Sequence, residues 1–288
     1  GRLEERDARA AGGCAALQPA GLQRGDDEVG GDEHRHGLGK QQPVTLHDGR
    51  MGAGGRGGES AIVACLHRLG TIGAMSIQRH DLLAHFDALL QPGGFKDYGP
   101  NGLQVEGKGE IACIVSGVTA SRALIDAAIE ARADAIFVHH GLFWRGMDGR
   151  ITGWLKERIR LLLAHDINLF AYHLPLDAHP QWGNNAQLGV QLGLEGQATF
   201  GEQNLGWMAA ADFADAAALG RHVEQALGRT PVCVGGERLR PNHPIRRIAW
   251  CTGGAQGFFE AAIAAGADAF ITGEISEPQA HLARETGV

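Results

Sequence analysis

The sequence predicts an α/β fold of two similar layers built from an internal βαβ duplication, and three observations carry this. Residues 111–140 and 245–274 align without gaps at a constant offset of 134 positions. Within them, LIDAAIEARADAIFV (124–138) lies over FFEAAIAAGADAFIT (258–272), sharing Ala127, Ala128, Ile129, Ala133, Asp134 and Ala135 of the first copy. Each copy reads as a strand, a glycine-containing loop, a helix of about ten residues and an apolar strand, the pattern of a βαβ unit. The runs IACIVSGV and AIFV lack polar alternation, so their strands are expected to be covered on both faces, as in a parallel sheet.

In chain order, residues 1–74 come first and differ from the rest. They hold 17 of the 44 glycines among scattered Arg, Asp and Ala, and only AIVACLHRL (61–69) is patterned. Such a stretch buries too little apolar area to offset its ordering entropy, so it is expected to be unstructured. The chain begins at Gly1 and its first methionines are Met51 and Met75. Met75 is therefore read as the natural start, with 1–74 as upstream read-through or a non-native tail and 75–288 as the folded region. His34, His36 and His47 receive no role. From Met75, SIQRHDLLAHFDALL spaces Leu82, Leu83, Phe86, Leu89 and Leu90 along one helix face. Tyr98-Gly99-Pro100-Asn101-Gly102 has turn chemistry ahead of a strand, LQV.

The first repeat follows, with Ser121 reading as a helix N-cap. Next come a helix over TGWLKERIRLLLAHD (152–166) and a third apolar strand, INLFAYH (167–173). A variable middle, about 200–240, leads to the second repeat. Glu285-Thr286-Gly287-Val288 reads as a helix C-terminus about to enter a strand, so the fold is expected to be incomplete at its C-terminal end.

Composition excludes several classes. A net charge of −7 without a Lys/Arg block argues against a nucleic-acid partner. No run of 18 apolar residues occurs, which argues against a membrane span. The first twenty residues lack the basic and apolar regions of a secretory signal. Five cysteines without a CxxC pair support neither a disulfide framework nor a thiolate zinc site. A cytoplasmic setting is expected. Neither phosphate-loop glycine motif occurs, and no serine sits in a GxSxG context.

The chemistry concentrates at strand ends. The first repeat ends on His139-His140-Gly141, where the second ends on Gly273-Glu274. Neighbouring strand residues point to opposite faces, so the two histidines can converge only where the strand ends, and Gly141 would permit the turn. The next strand ends similarly, with His173 and Asp177 in HLPLDAH. Ligands bind at the carboxyl ends of parallel strands. Imidazole with carboxylate and no thiolate suits zinc, iron, manganese or nickel. His139, His140 and Asp177 are the expected metal ligands. His173 is either a ligand or acid–base group or a partner behind the ligands, and Glu274 could supply an oxygen or stand behind them. His179 is read as structural.

Residues 75–288 resemble the Nif-three-like family of dinuclear-metal proteins, the GTP cyclohydrolase I type 2 homologues. The motifs are DYGPNGLQVEG (97–107), VSGVTAS (115–121), ADAIFVHHGLFW (133–144), INLFAYHLPLDAHPQWGNNAQLG (167–189) and WCTGGAQGF…GADAFITGEISE (250–277). The resemblance implies a two-domain α/β fold, a ring-shaped hexamer, and two divalent metals bound by residues matching His139, His140 and Asp177. The family adds a further His and a bridging Glu from a C-terminal segment that this sequence does not reach, so an incomplete metal site is expected here. The implied activity is metal-dependent hydrolysis of a small molecule, a nucleotide such as GTP among the candidates. The alternatives are a metal carrier or insertase, and a metal-locked scaffold without catalysis.

Overall fold

The computed structural model describes residues 62–65, 76–235 and 243–288. The first half contains strands β1 (Ile62–Cys65), β2 (Ile77–Gln78), β3 (Gly102–Val105), β4 (Glu110–Ile111), β5 (Cys113–Thr119), β6 (Ala135–His140) and β7 (Asn168–Ala171), with helices α1 (Arg79–Leu90), α2 (Arg122–Glu130) and α3 (Gly153–Ala164). The second contains α4 (Leu174–Ala178), α5 (Asn184–Gln191), β8 (Ala198–Phe200), β9 (Gly206–Phe213), α6 (Ala216–Leu227), β10 (Ile245–Cys251), α7 (Phe259–Ala264), β11 (Ala269–Thr272) and α8 (Glu277–Thr286).

The duplication is a structural one. β5 pairs with β6, and β10 with β11, both in parallel. Ile114 stands opposite Ala135 and Gly117 opposite Val138, while Ile248 stands opposite Ala269 and Cys251 opposite Thr272. The two registers are thus related by the same 134-residue offset as the sequences. The shared aspartate explains why the register is kept. Asp134 Oδ2 accepts from the N–H groups of Ala112 and Cys113 at 2.9 and 3.1 Å, and Asp268 Oδ2 accepts from those of Arg246 and Arg247 at 2.9 Å each. Each aspartate therefore clamps the start of its own strand to the start of the preceding one, satisfying donors that the ladder leaves over.

The first sheet has the order β1-β5-β6-β7-β3 and the second β11-β10-β9-β8. Both are mixed rather than purely parallel. β1 and β3 lie antiparallel on the two edges of the first sheet, and the middle region contributes β9 antiparallel to β10. A parallel core closed by antiparallel edges follows from the connections, because β8 and β9 are joined by a short link that permits only antiparallel pairing. The expectation that 1–74 carries no structure is corrected at β1, which is built from the one apolar run in that stretch. The rest of 1–74, with His34, His36 and His47, lies outside the described residues. Cys113 is disulfide-bonded, which the absence of a cysteine framework did not anticipate.

The first sheet is buried on both faces. Val115, Ile136 and Val138 pack with Leu124, Ile125 and Ala128 of α2 and with Leu155, Ile159 and Leu162 of α3. On the other face, Ala135, Phe170 and Tyr172 pack with Leu82 and Leu90 of α1. Ser121 caps α2, its Oγ accepting from the Leu124 N–H at 3.1 Å. The second sheet packs Ile248 and Trp250 against Leu219 and Val223 of α6. Among the described residues no helix is long and apolar enough to cross a membrane.

Candidate metal centre

Along β6, Ile136 and Val138 face α2 and α3 while Ala135 and Phe137 face α1, so His139 and His140 begin on opposite sides of the sheet. β7 stops opposite Val138, and beyond that point β6 is unpaired on that side. There the two imidazole centres come within 4.4 Å of one another. Gly141 does not make this turn through a left-handed backbone, as the sequence suggested. Its need is for space: a Cβ there would lie 2.2 Å from Oε1 of Gln104, which accepts from the Leu142 N–H at 2.8 Å.

After β7 the chain continues through Tyr172 to His173, which precedes α4. The His173 ring lies 4.8 Å from that of His139 and 5.6 Å from that of His140. Each of the three offers a ring nitrogen, and these nitrogens all lie within 4.8 Å of one another. Asp177, in the last turn of α4, joins at the edge, with Oδ1 3.6 Å from His139 Nε2. The structure therefore gathers His139, His140, His173 and Asp177. Glu274 is not brought to the trio. It is exposed, with its carboxyl group packed against Gly254. His179 anchors its own loop, its Nδ1 accepting from the Gln181 and Trp182 N–H groups at 3.2 and 3.1 Å while its ring stacks on Trp182.

The hydrogen bonds behind the rings decide what they offer. His139 Nδ1 lies 3.2 Å from the Tyr172 carbonyl oxygen and His173 Nδ1 2.7 Å from Asp97 Oδ1. Both oxygens only accept, so each Nδ1 carries a proton and Nε2 is the ring atom left to face a ligand. His140 Nδ1 has Thr119 Oγ1 at 3.3 Å. Burial, then the neighbouring histidines, push the pKa values of His139 and His140 down to about 4. Burial pushes the Asp177 carboxyl up to about 6, against the hydrogen bond that Asn184 Nδ2 donates to its Oδ1 at 2.7 Å.

Asp97 is the residue that sequence reading missed. Its side chain is 3 % exposed and accepts from His173, from Asn101 Nδ2 at 2.9 Å, and from the Leu174 and Tyr98 N–H groups at 2.9 and 2.6 Å. Burial alone would raise its pKa, but these four bonds hold it at about 2. The signal was present in DYGPNG, where an aspartate opens the turn, but its partner lies 76 residues away. Asn185 lies within the motif 167–189 but carried no role in the sequence. Fully buried, it donates through Nδ2 to the carbonyls of Asp177 and Leu205 at 3.3 and 3.0 Å, and its Oδ1 accepts from the Thr252 N–H at 2.7 Å. The end of β10 is thereby tied to the carboxylate-bearing turn.

This arrangement can be set beside known proteins. A Neisseria meningitidis protein named GTP cyclohydrolase 1 type 2 homolog is 54 % identical over 214 residues, covering 73 % of this chain and 84 % of its own. A Pseudomonas aeruginosa protein of the same name is 50 % identical over 224 residues, covering 74 % and 84 %. Among solved structures, protein ybgI, described as of unknown function, matches with a TM-score of 0.69 and 44 % identity over 74 % of this chain and 84 % of that one. A Thermus thermophilus protein matches with a TM-score of 0.61 and 32 % identity over 73 % and 84 %. Residues 77–288 match the family model Duf34/NIF3 (NGG1p interacting factor 3). With the duplicated βαβ frame, the paired histidines at the end of β6 and relatives this similar, the chain belongs to the Duf34/NIF3 family.

Proposed function

We infer that this protein binds divalent metal through His139, His140, His173 and Asp177 and uses it for hydrolysis of a small molecule. The observation that carries this reading is the anchoring of two clustered imidazoles through Nδ1. His139 and His173 have their Nδ1–H groups bound to acceptor-only oxygens, which leaves Nε2 as the ligand atom of each ring in a cluster that also holds a carboxylate. Burial keeps His139 and His140 neutral at physiological pH, so no proton has to be displaced from them before a cation is bound. The donor set, nitrogen and oxygen without sulfur, suits zinc, iron, manganese or nickel. A divalent ion there would supply Lewis-acid chemistry, lowering the pKa of a water and polarising the attacked centre. The chain supplies the rest: Asp97 fixes the His173 ring, and Asn184 orients Asp177.

Elemental analysis of the purified protein is the test. We expect at least one tightly bound divalent ion per chain, with His140→Ala and Asp177→Ala each losing most of it while retaining the wild-type circular dichroism spectrum. A metal-free wild type that takes up none of these ions on titration would overturn the reading. GTP hydrolysis that depends on the ion would identify the substrate suggested by the relatives' names. Bound metal without turnover of GTP or simple phosphoesters would shift the reading to a metal carrier or a metal-locked scaffold.

A further inference from the structure

Two exposed side chains beside the histidines are not among the ligands of the metal-binding reading. Tyr98 is 55 % exposed, although its ring centre lies 6.1 Å from that of His173, the two rings tilted edge to face. The Arg145 guanidinium sits 6.0 Å from the centre of the Tyr98 ring. Among the described residues Arg145 has no carboxylate partner, whereas Arg122, Arg150 and Arg160 are each paired. Arg158 lies over the exposed Trp154 ring in the same way, at 4.8 Å, so what sets Arg145 and Tyr98 apart is their place beside the histidines.

This corner is firmly built. The Arg145 N–H donates to the Tyr98 carbonyl at 2.6 Å, and its Nη2 donates to the Asp97 carbonyl at 2.6 Å. A Cβ on Gly99 would lie 2.4 Å from the Phe143 carbonyl oxygen, so the two loops are in direct backbone contact. Trp144 stands edge-on to His173 at 5.1 Å and to His140 at 5.8 Å, forming the opposite wall. Between Pro100, Asn101 and Trp144 a cleft reaches His139 and His173, with room for about one water. Anything larger must lie across the rim, where Tyr98 and Arg145 are.

We propose that this rim is the substrate-recognition face of the centre: Tyr98 stacks a flat unsaturated ring, and Arg145 takes an anionic group carried by that ring. The proposal rests on the metal-centre reading of the same site and adds the substrate class, a small planar anion. The face of an aromatic side chain accepts an offset-stacked ring, and the planar guanidinium fork matches a carboxylate or phosphate. A platform already held in place loses little ordering entropy on binding.

Two sources of this chemistry exist, a nucleotide phosphate and a heteroaromatic carboxylate. Calorimetric titration with GTP and, separately, with nicotinate distinguishes them, each run on protein whose metal content is measured. At least one probe is expected to bind saturably, and Tyr98→Leu and Arg145→Gln should each weaken it about tenfold, the loss of roughly one stacking or charge-assisted contact. Arg145→Lys should recover part of that loss, and the metal content of all three variants should equal that of the wild type. Binding of GTP alone assigns the phosphate source, and binding of nicotinate alone the carboxylate source. The proposal is overturned if neither probe binds the metal-loaded protein, or if Tyr98→Leu and Arg145→Gln bind as wild type. It is also overturned if Tyr98→Leu lowers the native mass, which would make the face a subunit contact. A wild type without metal would instead defeat the reading beneath it.

Discussion

Asp97 shows how much one side chain can hold together. It reaches His173 from before β3, and the same carboxylate closes the turn at Tyr98 and the start of α4. An asparagine in its place would offer one acceptor oxygen where two now serve four donors, and its NH2 group would face donors. Asp97→Asn is therefore expected to destabilise the protein by about 2 kcal/mol, the scale for hydrogen bonds to a buried charge, as read by urea denaturation of the metal-free form. Because the folded pKa of about 2 lies below the ordinary 3.8, the stability from this carboxylate is present above pH 3.8 and lost as pH falls through 2. The variant should show a flatter acid limb. Metal affinity should fall in the same variant, since an unanchored His173 no longer keeps its proton on Nδ1. Wild-type affinity in Asp97→Asn would show that His173 is not a ligand.

At the scale of elements, the end of β6 carries the clearest lesson about what the sequence discloses. HHG after an apolar run marks a strand end where polar side chains can converge, and the structure gathers those histidines there. The glycine was legible as special, but for a local reason, a turn. The actual constraint comes from Gln104 on β3, which bonds the Leu142 N–H and the Pro100 carbonyl and fills the space of a Gly141 side chain. Sequence periodicity reports which face an element buries and says little about which distant side chain will occupy a gap. Gly141→Ala should accordingly cost about 1–3 kcal/mol through overpacking. In a Gln104→Ala background that penalty should shrink, a coupling that a double-mutant cycle in urea measures directly. Equal penalties in both backgrounds would assign the effect to the backbone instead. The βαβ repeats, by contrast, were legible to the residue, because the clamp made by Asp134 and Asp268 is local to each copy and so leaves the same spacing in both.

Over the whole molecule, the two sheets meet where Asp177 lies between the ends of β7 and β10, and this junction was invisible in sequence because Asn185 and Thr252 are 67 residues apart. The junction also buries groups whose titrations oppose each other. His139 and His140 fall from an ordinary 6.5 to about 4 on folding, so the unfolded chain takes up protons first, and the stability of the metal-free protein is lost as pH drops from 6.5 through 4. Asp177 rises from 3.8 to about 6, so the folded chain holds that proton more tightly, and stability from it is lost as pH rises from 3.8 through 6. Two groups act one way and one the other, so the metal-free protein should gain stability with rising pH between about 4 and 6.5, less steeply than the histidines alone would dictate. Replacing the histidines, in His139→Gln/His140→Gln, should flatten or reverse that slope. Replacing the carboxyl, in Asp177→Asn, should steepen it, because the opposing titration is gone. The two changes thus push one measurable slope in opposite directions, and parallel responses in urea titrations across this pH range would show that these groups are not buried together as the structure has them.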